Sequence, residues 1–237
     1  MIIERPSSAR GQVQAGWLDS RHTFSFGGYY DPAWMGFGAL RVINEDRVDP
    51  GAGFAPHRHA NMEILSYVLS GRLAHQGSAD DGGVIGAGEL QWMSAGHGVE
   101  HSEYNASDSE PVHFLQIWVQ PDRLNAQPAY AKREAVAAAD GEFVLLASRD
   151  GAHGGLPVRQ DLRLYSLALT PGSSARRLLD AGRLYWLQVA QGRVEAGGRT
   201  LEAGDALGFR DESAELVLTG LGDSTADLLF FDLPPVG

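Results

Sequence analysis

Short apolar runs separated by turn residues dominate this chain. The runs have the length of β-strands, are rich in Val, Ile, Leu, Tyr, Trp and Phe, and alternate with segments that hold many of the 30 glycines and 11 prolines. Six of them are Glu63–Leu69, Leu90–Met93, Phe114–Val119, Leu162–Leu169, Leu184–Val189 and Asp227–Leu233. This pattern predicts an all-β protein. A short helix is possible at Gln127–Ala139, where Ala, Lys, Arg and Glu cluster after Pro128.

Three short matches between the two parts of the chain occur in the same order. They pair Gly71-Arg-Leu with Gly192-Arg-Val, Ala87-Gly-Glu-Leu with Ala203-Gly-Asp-Ala, and Leu115–Pro121 with Leu228–Pro234. One alternative is that strand, glycine turn and strand recur by chance in any β protein. The shared order favours two similar β domains in tandem. We therefore expect one domain at 1–121, a linker with the possible helix at 122–141, and a second domain at 142–237.

Composition narrows the class of protein. A chain of 237 residues forms one large or two small domains. Its net charge of −11 argues against direct binding to nucleic acid or to an anionic membrane surface. The absence of cysteine excludes disulfides, thiolate metal sites and a cysteine nucleophile. No apolar run has the length of a signal peptide or a membrane span, so we expect a cytoplasmic protein.

Histidines are concentrated in the first predicted domain. Seven of the eight precede residue 120, and two of them form the pair His57-Arg-His59. In an extended segment, residues two apart point to the same face, so both imidazoles share a face. His101-Ser-Glu103 repeats this spacing with an imidazole and a carboxylate. If the two segments meet inside a β-barrel, three imidazoles and a carboxylate converge.

Such a donor set suits a divalent transition metal, with Fe(II), Mn, Co, Ni, Cu and Zn all compatible. Either motif alone is typical of a surface strand or an ion pair, but the two together favour a metal site. Glu63 shares the strand parity of His59 and is a rival ligand or a partner of an imidazole, so the residues alone leave Glu63 and Glu103 open. Met93 and Gln116 lie in apolar, strand-length runs of the first predicted domain and could line an apolar pocket.

The histidine motifs resemble those of the cupins. Gly51-x5-His57-x-His59-x3-Glu63 is similar to the first cupin motif, and Gly98-x2-His101-x3-Asn105 to the end of the second. The runs His57–Gly71, Gly88–Gly96 and His101–Asn105 resemble the pirins more narrowly. Gly16–Phe26 and Tyr29-Tyr-Asp-Pro32 point to the bacterial pirin-like quercetinases, and the similarity continues to Asp232-Leu-Pro-Pro235.

This resemblance implies a bicupin, with two antiparallel β-barrels and one metal in the first. The family's ligands match His57, His59, His101 and Glu103, whereas the residue at Glu63 is usually not a ligand. The second barrel is expected to lack metal ligands, since the repeat places no imidazole or carboxylate set there.

The resemblance also implies a function. A flavonol such as quercetin would bind a metal, most simply Fe(II), through its 3-hydroxyl, and Glu103 would act as the general base that removes the hydroxyl proton. Oxygen would then open the central ring with loss of carbon monoxide. The alternative is a non-enzymatic iron-binding regulator of the pirin type, which acts through protein partners.

Overall fold

The computed structural model describes residues 1–78, 82–137 and 139–235, and almost every regular element in them is a β-strand. In chain order the strands are β1 Ile2–Arg5, β2 Gly11–Gln14, β3 Leu18–His22, β4 Leu40–Val48, β5 Gly53–His59, β6 Glu63–Ser70, β7 Arg72–Gly77, β8 Gly82–Gly86, β9 Leu90–Ser94, β10 Val99–Asn105, β11 Val112–Val119, β12 Ala129–Arg133, β13 Val144–Ser148, β14 Leu156–Pro157, β15 Arg163–Leu169, β16 Ser174–Leu178, β17 Leu184–Gln191, β18 Arg193–Ala196, β19 Arg199–Glu202, β20 Ala206–Arg210, β21 Glu215–Leu221 and β22 Ala226–Leu233. Two 3-10 turns, Ser7–Ala9 and Ala152–Gly154, are the helical elements of these ranges. No helix among the described residues has the length and apolar character needed to cross a membrane. The all-β prediction is confirmed.

The chain forms two compact units. The N-terminal unit comprises Gly11–Val136 and Leu156–Gln160. Its larger sheet has the antiparallel order β12-β9-β6-β11-β4-β3-β2, and its smaller sheet the order β5-β10-β7-β8. A core cluster takes Val68 and Phe114 from the larger sheet and Leu73 and Ile85 from the smaller one, so the apolar core lies between the two sheets. Strand β6 is flanked by β9 and β11 and is buried over seven of its eight residues, which explains why its sequence is mostly apolar.

The C-terminal unit comprises Met1–Arg10, Ala137–Gly155 and Asp161–Gly237, and it repeats this strand order. Its strands run β20-β17-β22-β15 and β16-β21-β18-β19, as β9-β6-β11-β4 and β5-β10-β7-β8 do in the first unit. The repeated glycines occupy equivalent turns, because Gly71 has φ +77° and Gly192 has φ +75°. A Cβ at Gly71 would lie 2.5 Å from the Pro111 carbonyl oxygen, and one at Gly192 would lie 2.7 Å from that of Thr225. The predicted pair of similar β domains is confirmed.

Two segments differ from the sequence expectation. Residues 129–133 are not helical but form β12, which pairs with β9 at the edge of the larger sheet. Packing outweighs the local helical propensity there, since the Tyr130 ring stacks on His75 at 4.8 Å with an interplanar angle of 7°. Strand β1 pairs with β20, so Met1–Arg10 belongs to the C-terminal unit. The boundaries between the compact units therefore fall at residues other than 121 and 142. Residue 138 of the expected helix lies outside the described residues.

Candidate metal centre

Strands β5 and β10 bring three histidines together. They pair antiparallel, with His57 opposite His101 and His59 opposite Val99. The ring centroids of the three imidazoles are 4.5 to 4.9 Å apart, and their ligand atoms all lie within 4.8 Å of one another. Among the described residues this is the group that could hold a metal ion. The predicted meeting of the two histidine motifs therefore occurs within the smaller sheet.

Hydrogen bonds select which ring nitrogens are available. His57 Nδ1 lies 2.8 Å from the Ala55 carbonyl oxygen, which can only accept, so Nδ1 carries the proton and Nε2 is free to bind a cation. His101 Nδ1 lies 2.9 Å from His75 Nε2. The Nε2 atoms of His59 and His101 are buried without a hydrogen-bond partner. Buried polar atoms normally have partners, so two such nitrogens in one cluster are suited to bind a cation.

Burial also keeps two of these imidazoles neutral. Desolvation, followed by the neighbouring His57, lowers the pKa of His59 to about 4. Desolvation, followed by the three neighbouring histidines, lowers the pKa of His101 to about 2. A metal must displace any proton from its ligand nitrogen. At neutral pH these two rings present lone pairs with no proton to displace.

Glu103 does not join the group of imidazoles but lies beside it. Its Oε1 accepts hydrogen bonds from Ser66 Oγ at 3.0 Å and Gln91 Nε2 at 2.9 Å, and its Oε2 accepts one from Gln116 Nε2 at 2.5 Å. An ionised carboxylate has about four lone-pair positions, so three donors leave one position open. Glu103 borders the same cavity as His57 and His59.

The surroundings of Glu103 support both of its protonation states. Ser66 has one hydroxyl proton, but its oxygen is also 2.8 Å from Gln116 Oε1. When Ser66 donates to Gln116, a protonated Glu103 can donate to Ser66. Complete burial raises the pKa of Glu103 to about 7, because the desolvation cost exceeds the effect of the hydrogen bonds from Ser66, Gln116 and Gln91. Such a group can accept and release a proton near neutral pH.

Glu63 lies in a separate environment, and this corrects its interpretation as a rival ligand or a partner of an imidazole. Its carboxylate accepts hydrogen bonds from Trp92 Nε1 at 2.7 Å, Ser94 Oγ at 2.5 Å and the Arg159 amide at 3.0 Å. Strand parity does not extend from His59 to Glu63, because β5 and β6 belong to different sheets and a turn with Asn61 at φ +52° separates them.

A cavity of about 230 Å³ opens beside the imidazoles. Its apolar wall includes Phe26, Phe54 and Trp118, and its polar wall includes Asn44, Asp46, Glu103 and Gln116. Burial raises the pKa of Asp46 to about 7, although the Ser20 hydroxyl donates to it. Met93, expected to line the pocket, is instead in a core cluster with Ile64, Ala95 and Val99. Trp118 packs against that cluster and borders the cavity in its place.

Several residues of the site had no motif to mark them. His75 is next to His101 in space but 26 residues away in the chain. Asn44 and Asp46 lie in β4, where four consecutive polar residues follow Ile43, and Phe26 lies in an irregular segment. Consecutive polar residues give no alternation, so the sequence of β4 did not show which face borders a cavity.

Among the described residues of the C-terminal unit, no group of histidine and carboxylate side chains converges as His57, His59 and His101 do. Where β16 pairs with β21, Arg176 lies opposite Val217. That the second barrel has lost the metal ligands stays a prediction.

Comparison with known proteins places these features in a family. The family described as Pirin matches residues 4–119, and the family described as Quercetinase C-terminal cupin domain matches residues 145–233. A protein named quercetin 2,3-dioxygenase from Escherichia coli (strain K12) is 44% identical over 236 residues, covering 100% of both chains. The chain belongs to the pirin family. The resemblance expected from the motifs is thus confirmed.

Other pirins share the whole architecture. A pirin-like protein from Caulobacter vibrioides is 39% identical, with 98% of this chain and 99% of the relative covered. The crystal structure of the bacterial pirin YhhW from Escherichia coli, in complex with nickel(II), superimposes with a TM-score of 0.93 at 43% identity and 100% coverage of both chains. The two-domain cupin fold of this pirin is therefore that of solved members of its family.

Proposed function

We propose that this protein is a metal-dependent dioxygenase that opens the central ring of flavonols such as quercetin. The reaction consumes one molecule of oxygen per flavonol and releases carbon monoxide and a depside. The observation that carries the proposal is a cluster of three imidazoles at the edge of a cavity with aromatic walls and a buried carboxyl group. The relative from Escherichia coli named quercetin 2,3-dioxygenase, alike over its full length, supports the same activity.

The residues that would hold the metal are His57, His59, His101 and Glu103. The unpartnered Nε2 atoms of His59 and His101 fit a cation, and Glu103 keeps one lone-pair position for it. We propose iron(II) as the metal, as the resemblance to the pirins implies. Four protein ligands would leave one or two open positions on a five- or six-coordinate ion. When bound, the metal would supply a Lewis-acidic centre and a template for flavonol and oxygen.

Glu103 is the proposed general base. A base works best when its pKa is close to the working pH, and burial raises the pKa of Glu103 to about 7. It would take the proton of the flavonol 3-hydroxyl once the substrate has displaced its carboxylate from the metal position, because three hydrogen bonds and a metal together would use all four lone-pair positions. Ser66, Gln91 and Gln116 hold its carboxylate in place and can rearrange their hydrogen bonds when the proton arrives.

The cavity suits one part of a flavonol better than the whole. Its volume of about 230 Å³ is below the ~300–1,000 Å³ typical of pockets that enclose a drug-sized ligand. A planar ring system can lie against Phe26, Phe54 and Trp118 while the remainder of a flavonol stays at the mouth. Aromatic walls favour such a ligand through edge and face contacts.

The test is oxygen uptake by iron-reconstituted protein with quercetin, with carbon monoxide measured in the same vessel. The His57→Ala/His59→Ala double variant should bind less iron and show no uptake. His97→Ala is the matched control, because His97 is exposed, its Nε2 lies 3.3 Å from Gln127 Oε1, and it is not one of the three clustered imidazoles. It should keep the wild-type rate.

The outcomes separate the two functions inferred from the sequence. Uptake with carbon monoxide release, lost in the double variant, would support the dioxygenase. Iron binding without uptake would contradict it and would direct the search to protein partners of an iron-dependent regulator.

A further inference from the structure

A row of buried polar side chains crosses the larger sheet of the N-terminal unit. The pairings of five neighbouring strands put these residues opposite one another, in the order Gln91, Ser66, Gln116, Asn44 and His22. All five are at most 9% exposed. Directly paired residues of neighbouring strands share a face, so the row runs across one side of the sheet. Polar groups buried in this way need hydrogen-bond partners.

Three of the five side chains have hydrogen-bond partners within the protein. Gln91, Ser66 and Gln116 bond to one another or to Glu103 at distances between 2.5 and 3.1 Å. Asn44 is different: it is 3% exposed, its Oδ1 is buried without a partner, and its side chain borders the cavity. An unpaired buried carboxamide costs free energy that a bound ligand can recover.

The chemistry of Asn44 points to a hydroxyl group. A carboxamide presents an oxygen that accepts and an NH₂ group that donates, and its two orientations are hard to distinguish. A hydroxyl can donate to the oxygen or accept from the NH₂ group, so it matches either orientation. Asp46, two residues along β4, already receives a hydrogen bond from Ser20, which makes Asn44 the unsatisfied group on this strand.

A series of aromatic rings leads from the imidazole cluster to this position. His59 and Trp118 meet edge to face at 4.8 Å, Trp118 and Phe26 at 5.2 Å, and Phe26 and His22 at 5.3 Å. His22 is opposite Asn44 in the register of β3 and β4. Asn44 and His22 line the same cavity as His57 and His59, so an aromatic ligand in that cavity would face both the metal site and Asn44.

We propose that Asn44 is a specificity-determining residue that binds a hydroxyl group on a flavonol ring remote from the oxygen that faces the metal site. The inference rests on the proposed function, because its ligand is a flavonol. It goes further by naming the feature that the site selects. Flavonols with hydroxyl groups on their outer rings should bind more tightly than 3-hydroxyflavone, which has only the hydroxyl of the central ring.

The experiment measures binding without turnover. Nickel(II)-loaded protein is titrated with quercetin and with 3-hydroxyflavone in the absence of oxygen, by calorimetry or by quenching of tryptophan fluorescence. Asn44→Leu should weaken quercetin binding about tenfold, as expected for one buried hydrogen bond, and change 3-hydroxyflavone binding less than about twofold. Asn44→Thr keeps a hydroxyl and should lose less quercetin affinity than Asn44→Leu.

Two controls make the result decisive. Ile43→Val changes the neighbouring residue of β4, which is fully buried and points to the opposite face, and it should preserve both affinities. If Asn44→Leu does not fold, Asn44→Thr carries the test, with an expected loss of affinity that is specific to quercetin. Equal losses for the two ligands, or no loss for quercetin, would overturn the role of Asn44. If the wild-type protein binds neither flavonol, the proposed function itself fails.

Discussion

Replacement of Glu103 by Gln should change how metal binding depends on pH. Burial raises the pKa of this carboxyl to about 7, so a proton competes with a metal for it below neutral pH. At pH 5, two pH units below that pKa, only about 1% of the carboxyl groups are ionised. If Glu103 is a ligand, its contribution to metal affinity falls with the ionised fraction, from about one half at pH 7 to about 1% at pH 5. This amounts to about 50-fold, or about 2.3 kcal/mol.

The measurement is the apparent Kd for nickel(II), obtained by competition with a chelator at pH 5, 6, 7 and 8. The ratio of wild-type affinity to Glu103→Gln affinity isolates the carboxyl, because the three imidazoles are common to both proteins. Glu100→Gln is the matched control, since Glu100 is on the same strand but exposed and paired with Arg58, and it should keep the wild-type profile. Parallel pH profiles for wild type and Glu103→Gln would refute the assignment of Glu103 as a ligand.

Three further predictions concern the surroundings of the site. Glu63→Gln leaves a buried donor mismatched and should lower the free energy of unfolding, measured by urea denaturation, by about 2 kcal/mol. The Kd for nickel should change less than about threefold. A large loss of nickel affinity would show that Glu63 is a metal ligand after all. His75→Phe removes the ring nitrogen 2.9 Å from His101 and should weaken nickel binding ~10- to 100-fold by chelator competition, and an unchanged Kd would contradict that role. Gly71→Ala puts a Cβ against a carbonyl oxygen at a residue with φ +77°, and it should lower the free energy of unfolding by more than about 1 kcal/mol. Gly222→Ala is the control, because Gly222 has a similar φ and open space around it, and its effect should be smaller. Equal effects would show that the close approach at Gly71 is unimportant.

The local sequence was sufficient to predict the fold class and the three histidines at the centre of the site. Apolar runs with period-two alternation and frequent glycines specify strands, because this information lies within a few residues. The spacing of His57 and His59 likewise ensures a shared face in any extended segment. The repeated glycines were detectable since Gly71 and Gly192 meet the same steric demand in equivalent turns.

Contacts between distant segments decided the rest. The peptide at 129–133 has helical composition, but edge pairing with β9 makes it a strand. Glu63 and Glu103 were equivalent by parity until a turn and a change of sheet placed their carboxylates in different networks.

The same limit applies to the supporting residues of the site. His75, Asn44 and Trp118 come from three different strands. Only the register of the folded sheets brings His75 against His101 and sets Asn44 and Trp118 around one cavity. The amino-acid sequence alone determined that the fold is all-β and which two motifs carry the imidazoles. The environment of each carboxyl group, and hence its pKa, was decided by burial and hydrogen-bond partners that exist only after the sheets have packed.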